Sequence, residues 1–108
     1  MDKRESKRVV IRLGCWLVGS DEALGCGAYE ISDTGVRVMC SNPPPPGRTV
    51  KLEFFTPFSA GAVTVQAEVI WSTLEPEGVM GLRFLGVDDG TRSVLKELMD
   101  FQQQQQRQ

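Results

Sequence analysis

Histidine is absent from the 108-residue sequence, which removes the commonest general base and metal ligand. Cysteine is scarce: Cys15, Cys26 and Cys40 are odd in number and show no CxxC spacing. They form neither a zinc motif nor a disulfide framework, so buried free thiols are expected. No apolar run approaches the ~18 residues of a membrane-spanning helix. The opening Met1-Asp2-Lys3-Arg4-Glu5 lacks the apolar core of a secretion signal, which makes a cytoplasmic location without membrane insertion the expectation. None of Asp21, Asp33, Asp88 and Asp89 has a partner at a recognised catalytic spacing, and neither Cys26 nor Cys40 carries a base signature. The protein is therefore expected not to be an enzyme. Excess positive charge is missing too. A net charge of −2, with no outward platform of aromatic residues, argues against a DNA or RNA partner.

What is present is a folding pattern. Apolar residues make up 41% of the chain, enough for one modest core in a single domain. From Val9 the sequence alternates, with Val9, Ile11, Leu13, Cys15 and Leu17 on one face and Val10, Arg12, Gly14 and Trp16 on the other. That period of two predicts a strand with its odd positions inward. Further strands are predicted from Leu24 to Ile31, Val36 to Cys40, Arg48 to Phe55, Val63 to Trp71 and Val79 to Leu85. In the fifth, Val63, Val65, Ala67, Val69 and Trp71 share the inner face. Gly25 and Gly27 suggest a bend in the second strand. Pro43 to Pro46 form a stiff connector. After Asp89 the period changes: Val94, Leu98 and Phe101, widened by Leu95 and Met99, fit one face of a helix capped by Asp89 or Thr91. The expected organisation is a basic arm over 1–8, a domain over 9–101 and a polar, glutamine-rich tail over 102–108. The fold class is all-β: six short antiparallel strands closing into a small barrel or sandwich, with a C-terminal helix.

Two polar pieces interrupt this apolar pattern. Asp2 to Arg12 carries a local charge of +3 on an otherwise acidic molecule, which favours a small anionic ligand over a long polyanion. Within it Arg4 and Arg8 stand four apart, each a permanently charged fork able to pair with phosphate and stack on a base. Arg8 and Arg12 repeat the spacing, but Arg12 falls inside the first strand and points outward. The second piece, Glu30-Ile31-Ser32-Asp33-Thr34-Gly35, is a turn between two strands. Ser32 offers a hydroxyl there, and Gly35 permits close backbone approach or positive φ.

Arg4-x-x-x-Arg8 before the first strand, followed by Ser32-x-x-Gly35 after the second, resembles the PilZ domain family of bacteria. That family's signature is Arg-x-x-x-Arg and then Asp/Asn-x-Ser-x-x-Gly. The resemblance runs from Lys3 to about Phe101 and includes the ending Gly81-Leu82-Arg83-Phe84-Leu85-Gly86-Val87-Asp88. It implies a six-stranded PilZ-like antiparallel β-barrel with a C-terminal α-helix. It also implies a ligand, the second messenger cyclic di-GMP, often bound as an intercalated dimer, and a protein effector as partner. Carried over by position, Arg4 and Arg8 are the clamp, and Glu30, Ser32 and Gly35 the turn. Lys3, Lys7 and Arg83 are supporting candidates. The implied function is a receptor or adaptor that signals by ordering its arm, in motility or exopolysaccharide regulation. One position departs: Glu30 stands where the family has Asp or Asn. A misplaced buried acceptor costs about 1–3 kcal/mol, or about one to two decades in affinity. The alternative is therefore an interaction module that does not bind the nucleotide.

Overall fold

The computed structural model describes residues 9–18, 23–55, 62–75 and 77–106. Lys3, Arg4, Lys7 and Arg8 lie outside the described residues. Six strands precede one helix: β1 (Val9–Val18), β2 (Ala23–Ile31), β3 (Gly35–Met39), β4 (Thr49–Phe55), β5 (Ala62–Thr73), β6 (Val79–Leu85) and α1 (Asp89–Gln106). The strands close into an antiparallel barrel in the order β1-β2-β3-β6-β5-β4. Closure leaves no long sheet edge exposed, which a chain of this size has little else to cover.

The alternation predicted for β1 holds. Val9, Ile11, Cys15 and Leu17 are buried, while Val10 and Trp16 are exposed. The inward faces of the six strands meet in one core. Ile11, Ile31, Val38, Leu52, Phe54, Val69 and Met80 are almost fully excluded from solvent. Each such side chain contributes about 1.5–3 kcal/mol of transfer free energy. The three thiols fall at or near this core, with Cys15 and Cys40 buried and Cys26 half-buried.

Bulges interrupt the period of two. One extra residue enters β1 between Val10 and Leu13, one enters β2 between Ala28 and Glu30, and one enters β5 between Val69 and Trp71. Bulges sharpen the local twist and redirect the side chains that follow. The third corrects the sequence expectation for Trp71. Unbroken alternation puts Trp71 inside, whereas the extra residue at Ile70 turns it to the outer face, 38% exposed. In β2 the register irregularity falls at Tyr29.

The helix packs along β1. Leu95 and Leu98 are buried, with Met99 packed beside them. Its cap is Asp88, not Asp89 or Thr91: Thr91 donates its backbone N–H to Asp88 Oδ1 at 2.8 Å. That bond holds the exposed Asp88 carboxyl below its usual range. The helix also continues through Gln106, so residues 102–106 of the polar tail are helical. Gln102 accepts the Arg12 backbone N–H through Oε1 at 3.3 Å, tying the extra turns back to β1. No helix among the described residues is long and apolar enough to cross a membrane.

Candidate functional site

The β2–β3 turn is organised by Ser32, which is 8% exposed. Its backbone N–H donates to the Gly35 carbonyl at 2.9 Å. Its Oγ accepts the backbone N–H groups of Thr34 and Gly35, each at 3.2 Å, and lies 3.2 Å from Thr34 Oγ1. A serine hydroxyl has two acceptor positions and one proton. Both acceptor positions are used inside the turn, so any outward donation draws on that single proton. The turn is anchored to β6, where Phe84 donates its N–H to the Thr34 carbonyl at 2.8 Å.

Gly35 is required by crowding and not by positive φ, which is confined among the described residues to Gly47 and Gly86. A Cβ at Gly35 would fall inside the van der Waals surface of the Leu82 carbonyl oxygen on β6. The glycine therefore sets how closely β3 approaches β6, where Gly35 pairs with Arg83. Ser32 and Gly35 thus shape the turn, and Asp33 and Thr34 form its exposed tip.

Glu30 sits on the outer face one step before the turn. Its Cα partners are Val10 on β1 and Arg37 on β3. Arg37 Nη1 lies 3.1 Å from Glu30 Oε1, with the two side chains 38% and 22% exposed. Oε1 is itself excluded from solvent and has no aligned hydrogen bond. The contact is therefore an ion pair of charge with charge rather than a directed bond. On its far side the Arg37 guanidinium lies over the Trp71 ring, 5.9 Å from the centroid, within cation–π range. Trp71 in turn covers Gly81, where an added Cβ would stand 2.6 Å from Trp71 Cε2. Glu30, Arg37, Gly81 and Trp71 thus form one row of paired positions across β2, β3, β6 and β5.

Arg83 stands on the same outer face, one row nearer the turn. Its Nη2 donates to Glu68 Oε1 at 2.7 Å, and its side chain is 60% exposed. Such an exposed pair contributes about 0–1 kcal/mol, so Arg83 is easily redirected toward an anion. The arm residues Arg4, Arg8, Lys3 and Lys7 are outside the described residues, but their attachment point is not. Val9 pairs with Ile31, so the basic segment joins the barrel beside Ser32.

Sequence reasoning missed Arg37 and Trp71. Arg37 carried a usable signal, since in a short hairpin the outward residue two after Gly35 faces the outward residue two before Ser32. Trp71 carried none, because the bulge before it is invisible to a period of two. Two of the thiols are held in the neutral form. Burial, reinforced by the neighbouring Cys40, pushes Cys15 up to about 11. Burial and a hydrogen bond with Cys40 push Cys26 up as well. Neutral thiols are poor nucleophiles. Among the described residues no cluster of three metal-ligating side chains occurs.

A family model described as PilZ domain matches residues 2–101. Among solved structures, the PilZ domain with c-di-GMP of YcgR from Escherichia coli superposes with a TM-score of 0.79 at 17% identity, covering 98% of this chain and 95% of that one. The Bacillus subtilis inhibitor of motility (MotI/DgrA) gives a TM-score of 0.76 at 18% identity over 98% of this chain. YcgR in complex with c-di-GMP from Escherichia coli gives 0.77 at 17% identity over 98% of this chain. The present chain spans about half the length of these last two, 52% and 48%. No curated protein matches.

Proposed function

The chain belongs to the PilZ domain family, and on that premise we propose that it is a receptor for cyclic di-GMP. The observation that carries this is the pairing of Val9 with Ile31, which attaches the Arg4–Arg8 segment at the Glu30–Gly35 turn. The guanidinium forks supply charge for the phosphates and flat faces for the bases. Glu30 supplies a carboxylate acceptor for the donor edge of guanine. Arg83, and Lys3 and Lys7 on the arm, add attraction. Binding orders the arm over the turn and changes the surface shown to a protein effector, with no covalent chemistry. Two of the similar structures are YcgR with c-di-GMP, and a third is named as an inhibitor of motility. They support this ligand class and an output in motility or related surface behaviour.

A second reading, a nucleotide-independent interaction module, is favoured by two observations. Glu30 stands where the family has a shorter residue, and Val10, Trp16 and Met39 are exposed apolar side chains. A calorimetric titration with cyclic di-GMP at physiological salt, beside GTP as control, separates the two. The receptor reading expects saturable binding at about 10 μM or tighter, near −7 kcal/mol, lost in Arg4→Ala and Arg8→Ala. No heat at tenfold higher ligand overturns the receptor reading and turns the search to a protein partner.

A further inference from the structure

We infer that Arg37 is the positioning residue that fits a glutamate to position 30, an inference that rests on the cyclic di-GMP reading of the same site. A glutamate carries one methylene and one torsion more than an aspartate, so an unheld carboxylate at this position wanders. Arg37 removes that freedom from the neighbouring strand. It is the in-register partner of Glu30 and lies 3.1 Å from Oε1. It is not a loose surface arginine. The guanidinium also lies over the Trp71 ring, 5.9 Å from its centroid, and that ring occupies the space left by the absent side chain of Gly81.

Two consequences follow for a ligand. First, Arg37 engages the solvent-excluded oxygen, Oε1, while Oε2 makes no such contact among the described residues. On this inference Oε2, the oxygen that Arg37 does not engage, is the one that meets the N1–H and N2–H donors of a guanine. Second, a carboxylate beside a dinucleotide carrying two phosphodiester charges is repulsive unless compensated. Arg37 compensates it locally through its contact with Oε1. An aspartate at position 30 is one methylene shorter, so its carboxylate starts farther from the same guanidinium and depends on Arg37 less.

The opposite outcome is also chemically possible, with Arg37 sequestering Glu30 and competing with the guanine. The two differ in sign. The test is a titration of the full chain with cyclic di-GMP for the wild type, Arg37→Ala, Arg37→Lys, Glu30→Asp and Arg37→Ala combined with Glu30→Asp. Thermal unfolding of each variant confirms that it is folded. Arg37→Ala is expected to weaken binding about tenfold, the scale of one charge-assisted contact. Arg37→Lys recovers part of the loss, because it keeps the charge without the fork. In the Glu30→Asp background the effect of Arg37→Ala shrinks to within about twofold, the coupling expected of residues in direct contact. A merely structural role for Arg37 would show the same loss in both backgrounds, which overturns the inference. So does wild-type or tighter binding by Arg37→Ala. An independent readout is Trp71 fluorescence in a Trp16→Phe background, where Arg37→Ala shifts the emission of the free protein. If the wild type itself fails to bind, the receptor reading falls and this inference falls with it. If the wild type binds and Arg37 is silent, this inference alone fails.

Discussion

Replacing Gly35 by alanine tests whether the glycine of the turn serves the ligand or the barrel. In the structure a Cβ at this position collides with the Leu82 carbonyl oxygen and also stands 3.4 Å from the Leu82 carbonyl carbon and 3.5 Å from Arg83 Cα. All three are backbone atoms of β6, so no side chain can swing aside. Relief requires β3 and β6 to separate by on the order of 1 Å at that point. Overpacking of this kind costs about 1–3 kcal/mol. Loosening the Phe84 N–H to Thr34 carbonyl bond adds about 1 kcal/mol. The sum, about 2–4 kcal/mol, lowers Tm by roughly 10 °C or more in a domain of this size. The assay is thermal unfolding by circular dichroism without ligand. Two other glycines calibrate it. At Gly81 the collision is with the Trp71 side chain, which can move, so Gly81→Ala costs less and displaces the indole. At Gly27 an added Cβ meets nothing within 4 Å, so Gly27→Ala is neutral or slightly stabilising through the unfolded chain. The expected order of destabilisation is Gly35, then Gly81, then Gly27. A Gly35→Ala protein that unfolds within 1 °C of wild type, by roughly the smallest resolvable shift, yet no longer binds nucleotide would refute the strand-spacing argument.

Ser32→Ala leaves the N–H groups of Thr34 and Gly35 without their acceptor. It is expected to cost about 1–2 kcal/mol, seen as a lower midpoint in urea. Ser32→Thr, which keeps the hydroxyl, is expected to lose less. The Cys15 thiol, raised in the folded state to about 11 by burial and by Cys40, makes stability fall in alkali. The folded protein keeps its proton where the unfolded chain, with a thiol pKa near ~8.5, has released it. The contribution is intact below that value and is lost as pH rises toward the folded one. Chemical denaturation at pH values from 8 to 11 should show the decline, and Cys15→Ala should make it shallower, the remainder coming from the similarly raised Cys26. An unchanged slope in Cys15→Ala would assign the decline to other groups.

Most of the barrel was legible because its signals are local. The alternation of Val9, Ile11, Cys15 and Leu17 follows the period of a strand and survives the irregularity between Val10 and Leu13, and the run of apolar positions in α1 follows helical pitch. Trp71 was misplaced because one extra residue at Ile70 reverses every face after it, and nothing in the composition of β5 marks where a bulge falls. The cap was misassigned by one residue. Asp88, Asp89 and Thr91 are all competent caps, and only the backbone path decides which oxygen meets which N–H. The glutamines of the tail carry no apolar period, yet their backbone continues a helix already anchored by Leu95 and Leu98.

The candidate site divides along the same line. Ser32 and Gly35 were found as a motif, yet their geometry shows them building the turn, a role the motif alone does not disclose. Glu30 stood out as a departure from the family pattern, and in isolation a longer acid looks like a lost site. In the folded chain position 30 is not isolated. The hairpin register sets Arg37 beside it, the bulge in β5 sets Trp71 beneath Arg37, and Gly81 makes room for the indole. Whether a glutamate is tolerated at this position is therefore a property of four strands, not of one residue. A substitution that damages a binding site in one register can be accommodated when the opposing strand supplies a counter-charge at the added length. Arg37 supplies one at 3.1 Å.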